Sequence, residues 1–246
     1  MSEADVPDAA RVAWRDAIGV SVATSAYGVS FGALAVASGL DVWQACVLSL
    51  FMFTGGSQFA FVGVVAGGGL AAAPAAIASA TLLGVRNVAY GLRMSPVVGP
   101  GFWRRVAAAP LTIDESAAVA LAQTGTRARR IGFWATGIGI YLGWNATTLL
   151  GALLGDVLGD VRAWGLDAAA AAAFLALLWP RLRRRQAVAV GVAAAVVATM
   201  VTPVVMPGMP VLIAALVAVV VGWTNAFGDR TPPASDPTFP STGRTP

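Results

Sequence analysis

The run FMFTGGSQFAFVG places Thr54, Gly55, Gly56, Ser57 and Gln58 in the middle of an otherwise apolar stretch and follows them with Phe59. Two adjacent glycines each cost a helix about 1 kcal/mol relative to alanine, and three polar side chains add to that cost in lipid. A helix interrupted there frees backbone amides that can point at an anionic group near the bilayer midplane. Close packing through small residues is the alternative, but it gives Gln58 no task. Further along, Arg86 and Asn87 fall inside a second apolar stretch. A central arginine costs about 2.5–3.5 kcal/mol on insertion scales, so it either has a partner or snorkels to the interface. Asp114 and Glu115 precede the apolar run SAAVALA. They serve either as acids at a helix N-terminus or as a proton or cation site and a partner for Arg86. Asn145, in YLGWNATTLLG, suits an interhelical hydrogen bond or a ligand contact. Its glycosylation sequon is irrelevant in a buried span.

These residues stand in a chain that water alone could not fold. Of 246 residues, 57% are hydrophobic and only 11% charged, against about 25% charged in soluble domains; the mean hydropathy is +0.74. No Asp, Glu, Lys or Arg occurs in 17–40, 42–85, 131–155 or 186–228. One crossing needs about 20 apolar residues, so the second and fourth windows hold two each. All sixteen basic residues are arginine, and histidine is absent. A P-loop lysine, a Schiff base, a histidine base and a zinc site of cysteines and histidines are thereby excluded. Cys46 stands alone in an apolar run and reads as packing. The net charge of +4 comes from arginines clustered at segment ends, as the positive-inside rule places them, and does not indicate nucleic acid.

The expected fold is an all-α polytopic membrane protein with about seven apolar helices, at 17–39, 43–67, 72–93, 131–154, 164–180, 186–203 and 208–227. Residues 1–16 form a cytoplasmic N-terminal segment without a cleaved signal, 17–227 the membrane domain, and 228–246 a proline-rich disordered cytoplasmic tail. Arg127, Arg129, Arg130 and the arginines of 181–185 mark the cytoplasmic side, while Asp156, Asp160 and Asp167 suit the outside. With the N-terminus inside, an even number of crossings must precede Arg127, yet three helices are counted. Three repairs are open: 106–124 is an eighth crossing, 43–67 is re-entrant and bent at 54–58, or the N-terminus lies outside. The first is preferred.

Several of these runs resemble the AzlC family of azaleucine-resistance, branched-chain amino-acid exporters. YGVSFGALA at 27–35, with Gly39-Leu40 and Trp43-Gln44-Ala45, is similar to its amino-terminal motif. FTGGSQFA at 53–60 resembles its FAGGSQFA signature, and LGVRNVAYGL at 83–92 its LNxRHxLYGL stretch, with Asn87 where histidine is usual. LTIDE at 111–115 resembles its LTDE element, and Gly143-Trp144-Asn145 a GW motif. The resemblance covers about 17–223. It implies a multi-pass protein of the inner (cytoplasmic) membrane that exports branched-chain amino acids, is not an enzyme and needs no cofactor. It also implies a small AzlD-like membrane protein as partner, and admits a homo-oligomer of that pair.

On this reading the substrate contacts Thr54, Gly55, Gly56, Ser57, Gln58, Phe59, Asn87 and Asn145. Arg86, Asp114 and Glu115 couple transport to an ion gradient, and no metal takes part. The competing function is the permease subunit of an ATP-driven amino-acid transporter with a separate ATPase. An intramembrane aspartyl protease would need two carboxylates on facing helices, which the apolar segments lack.

Overall fold

The computed structural model describes residues 5–158, 185–205 and 209–224, with the single positions 175, 179 and 182. The helix expected at 164–180 and the tail after Gly228 lie outside the described residues. The described residues form helices and no strand.

Two long helices make the frame. Helix α1 (Asp5–Ala37) runs through the polar start of the chain without a break, and its partner, which begins at Thr126 and ends at Leu158, is equally long at 33 residues. At 1.5 Å per residue each extends about 50 Å, well beyond a hydrocarbon core of about 30 Å. The two are parallel. Near their starts, Gln123 Nε2 donates to Asp16. Further along, Ser21 Oγ donates to the Thr136 carbonyl and Thr147 Oγ1 to the Ser25 carbonyl. Near their ends, Gly155 faces Ala33. Glycines permit the approach: a Cβ on Gly28 would meet Thr147, one on Gly32 the Thr148 carbonyl, and one on Gly151 the Val29 carbonyl. Helix association in lipid draws on such packing and on hydrogen bonds between helices, because the tails are as apolar as leucine.

From the far end of α1 the chain turns at Ser38–Leu40 into α2 (Val42–Phe51). Asp41 and Gln44 form a reciprocal capping box at its start. This helix stops where Leu50 meets Tyr141, and Met52–Thr54 is not helical. The chain then turns back as α3 (Gly55–Gly68), whose Val62, Val64 and Val65 join Leu34, Leu40, Ala72 and Ala152 in one core. Helices α2 and α3 thus form a hairpin that enters and leaves at the same end of the frame. A 3-10 turn (Gly69–Ala72) leads to α4 (Ala73–Gly84) and α5 (Arg86–Val98). Val85 between them keeps helical angles, so 73–98 is one run of 26 residues with an irregularity at its centre. It ends beside the start of the last frame helix, where Arg130 Nε donates to the Val97 carbonyl at 3.1 Å.

There α6 (Phe102–Leu111) turns inward, and Pro110 and Thr112 close it. Its tip places Leu111 against Gly137 and Ile113 in the core with Ile140 and Trp144. Helix α7 (Asp114–Ala122) then returns to Gln123, beside Asp16 and Arg129. The second frame helix, Thr126–Leu158, is α8.

These contacts correct the preferred topology. Residues 106–124 do not cross: they enter and leave at the end that holds the starts of α1 and α8. The 43–67 stretch is re-entrant too, from the opposite end, and breaks at 52–54, just before the expected 54–58. The runs long and apolar enough to cross are Asp8–Ala37, Ala73–Val98 and Thr126–Val157. Two of them precede Arg127, the even number that the arginine pattern required. At most a third of each apolar window is buried, and Ile18, Leu82, Leu92 and Leu142 face outward, as a lipid-facing surface requires. Helices α9 (Arg185–Val201) and α10 (Met209–Thr224) pack on each other, and α10 touches α4.

Candidate functional site

The two hairpin tips and the irregularity at Val85 meet. Arg86 opens α5 and Asp114 opens α7. Their side chains form an ion pair, Nη1 to Oδ2 at 3.1 Å, with 31% and 23% of their surfaces exposed. Gly56, in the first turn of α3, completes the junction: a Cβ there would lie 2.8 Å from Arg86 Nη2. Partial burial of a cation in an apolar bundle is costly, and a carboxylate in contact offsets much of that cost. Asp114 also sits where a helix start favours negative charge.

The start of α3 is open to a ligand. Its first hydrogen bond to the preceding turn runs from Gln58 N–H to the Thr54 carbonyl. The Gly55, Gly56 and Ser57 amides thus precede the ladder. Thr54 is extended and half-buried, and its side chain makes no cap. Gly55 packs on the Trp144 ring, which would lie 3.4 Å from a Cβ at that position. Trp144 is buried among Phe31 and Phe59 at ring-centroid distances of 6.1 and 6.3 Å. Phe53 packs edge-on against Tyr141 at 4.9 Å. One side of the junction is therefore an aromatic wall, and the other is the ion pair.

Of the residues singled out in the sequence, Gly55, Gly56, Arg86 and Asp114 converge here. Glu115 is half-buried in the first turn of α7, next to Asp114. Ser57 is buried and donates to the Ala80 carbonyl at 2.8 Å, tying α3 to α4. Gln58, fully buried, reaches the Ser49 carbonyl through Nε2 at 3.4 Å and so links the two arms of its hairpin. Phe59 belongs to the aromatic wall. Asn145 folds back onto its own helix, with Nδ2 donating to the Tyr141 carbonyl at 2.7 Å, and is not brought to the ion pair. Asn87 follows Arg86 in the first turn of α5. Five buried polar atoms on these residues have no hydrogen-bond partner: Gln58 Oε1, Arg86 Nε, Asn87 Oδ1, Trp144 Nε1 and Asn145 Oδ1. Buried polar groups are nearly always satisfied, so a set of five around one junction suits a ligand or water between the helices. Trp144 is the contact that reasoning from residue types passed over. It stood in the GW motif, beside an asparagine that drew attention as the more polar residue.

No curated protein and no solved structure shows a significant match to this chain. A comparison with protein families matches residues 19–158 to the family described as AzlC protein. The match takes in most of α1, all of α8, both hairpins and the junction between their tips. Since it covers more than half of the sequence, the chain belongs to the AzlC family.

Proposed function

Membership supports a transport-related role for a multi-pass membrane protein. Within it, we propose that this chain is the large subunit of a two-component exporter of branched-chain amino acids, driven by an ion gradient and working with a small AzlD-like membrane partner in the cytoplasmic membrane. One observation carries the reading: the Arg86–Asp114 pair lies where two hairpins from opposite ends of the bundle meet. A zwitterion has one anionic and one cationic group. Its α-carboxylate takes the Arg86 guanidinium and the amides at the start of α3, and its ammonium takes Asp114, with Glu115 alongside. Both charges of the protein stay compensated while substrate separates them. The aromatic wall of Trp144, Phe59 and Phe53 faces a branched aliphatic side chain.

Alternating access then needs one hairpin to loosen at a time. Substrate drives the change only through different affinities for the two facing states. Proteoliposomes with the chain and its partner, without any ATPase, provide the test. Gradient-driven movement of labelled leucine or valine, competed by isoleucine and not by glutamate or lysine, is expected. Movement that appears only with a separate ATPase and ATP would replace this reading with the ATP-driven permease. Failure of all branched-chain substrates in equilibrium exchange would remove the substrate class.

A further inference from the structure

A second feature lies away from the junction, on the outer face of the frame. Between α1 and α8 runs an open groove of about 960 Å³, within the size range of small-molecule sites. Trp14, Ile18 and Val22 of α1 form one wall, each four residues from the next, and Trp134 and Ile138 of α8 form the other. Arg130 stands at one end, one turn before Trp134. Its guanidinium is not alone. Arg130 Nη2 and Arg104 Nη1 lie 3.5 and 3.6 Å from the point where a Gly99 Cβ would sit. The backbone aims these groups: Arg130 Nε donates to the Val97 carbonyl and Arg105 Nε to the Gly99 carbonyl. Among the described residues, none of the three arginines pairs with a carboxylate.

We propose that this is a binding site for an anionic phospholipid, with the phosphate on Arg104 and Arg130 and an acyl chain in the α1–α8 groove. Two converging guanidinium groups repel each other until an anion joins them, and phosphate matches their fork geometry. An apolar groove opening from the same arginine fits the attached hydrocarbon, which a free phosphate lacks. Trp14 and Trp134 beside the arginine, with Phe102 and Trp103 exposed at the start of α6, are the rings expected at headgroup level. Basic pockets between membrane helices are a known setting for lipid headgroups.

Native mass spectrometry of the full chain, with phosphatidylglycerol and phosphatidylcholine of the same acyl composition, tests the assignment. Phosphatidylglycerol should survive at collision energies that strip phosphatidylcholine. Arg104→Gln with Arg130→Gln should lower its retention about tenfold, the loss of about one charge-assisted contact. Arg127→Gln should leave it unchanged, and Arg104→Lys with Arg130→Lys should restore part of it. Phosphatidylglycerol with a photoreactive acyl chain should mark Ile18, Val22 and Ile138 in the unmodified protein, a readout independent of any variant. Equal retention of the two lipids would overturn the proposal. So would displacement of phosphatidylglycerol by excess inorganic phosphate, which would make this a free-anion site, or adducts spread evenly to Leu82 and Val88.

Discussion

Arg86 and Asp114 hold each other at 3.1 Å in a region where neither is fully wet, so removing one leaves the other exposed to the cost of its charge. Arg86→Ala should destabilise the protein by about 3 kcal/mol or less, since both side chains keep some solvent. It should also abolish substrate exchange. Asp114→Asn keeps the shape and loses the charge; it should retain folding and lose gradient-driven export. Thermal melting in detergent and exchange in vesicles separate the two effects. Gly56→Ala is subtler. Its methyl would press on Arg86 Nη2 at 2.8 Å, and the guanidinium, being the far end of a flexible side chain, can yield. Folding should survive, while half-saturation of exchange rises about tenfold, or about 1.4 kcal/mol. The residue types at this junction were legible in the sequence because charge and paired glycines are expensive in lipid. That Asn145 bends back to Tyr141 was not legible, since a side chain's preference for its own helix depends on what the neighbouring helix offers.

At the scale of elements, the apolar windows were readable and their course was not. Hairpin α2–α3 contains two half-length helices, and an apolar stretch long enough for one span can equally descend and return. Hydropathy measures how greasy a segment is, with no record of direction. Hairpin α6–α7 misled in the opposite sense, because Arg104, Arg105, Asp114 and Glu115 made it look like a connector. The break in α2–α3 was visible as Gly55-Gly56, yet the helix resumes at Gly55 and the non-helical residues are Met52–Thr54. Glycines permitted the start of α3 rather than ending α2. The α1–α8 contact makes a sharper prediction. Gly151→Leu would drive a side chain into the Val29 backbone and should cost at least about 2 kcal/mol. Gly19→Ala, with nothing within 4 Å of the new methyl, should be neutral or stabilising by up to about 1 kcal/mol. Melting temperatures of the two variants in one detergent check the contrast.

In the whole molecule, α1 with its hairpin and the α4–α5 run with its hairpin traverse the bundle in opposite senses, as inverted halves do in many carriers. Arginine counting demanded an even number of crossings and could not say which segment to discount; contacts between distant residues decided that. In a Cys46→Ala background, Pro100→Cys and Thr124→Cys should therefore label from one side of the membrane and Gly67→Cys from the other. Labelling of Pro100→Cys and Thr124→Cys from opposite sides would mean that α6–α7 crosses after all. The ion pair at the centre has an electrical consequence as well. A lone arginine carried through the membrane potential would gain or lose about 2.3 kcal/mol for each 100 mV, and its return stroke would be tied to voltage. Arg86 and Asp114 together carry no net charge, and a zwitterion adds none. Loaded and empty strokes should both be electrically silent, so substrate exchange should proceed at the same rate under an imposed potassium diffusion potential as without one. Any current recorded during net export then belongs to the coupling ion alone and counts how many such ions accompany each amino acid.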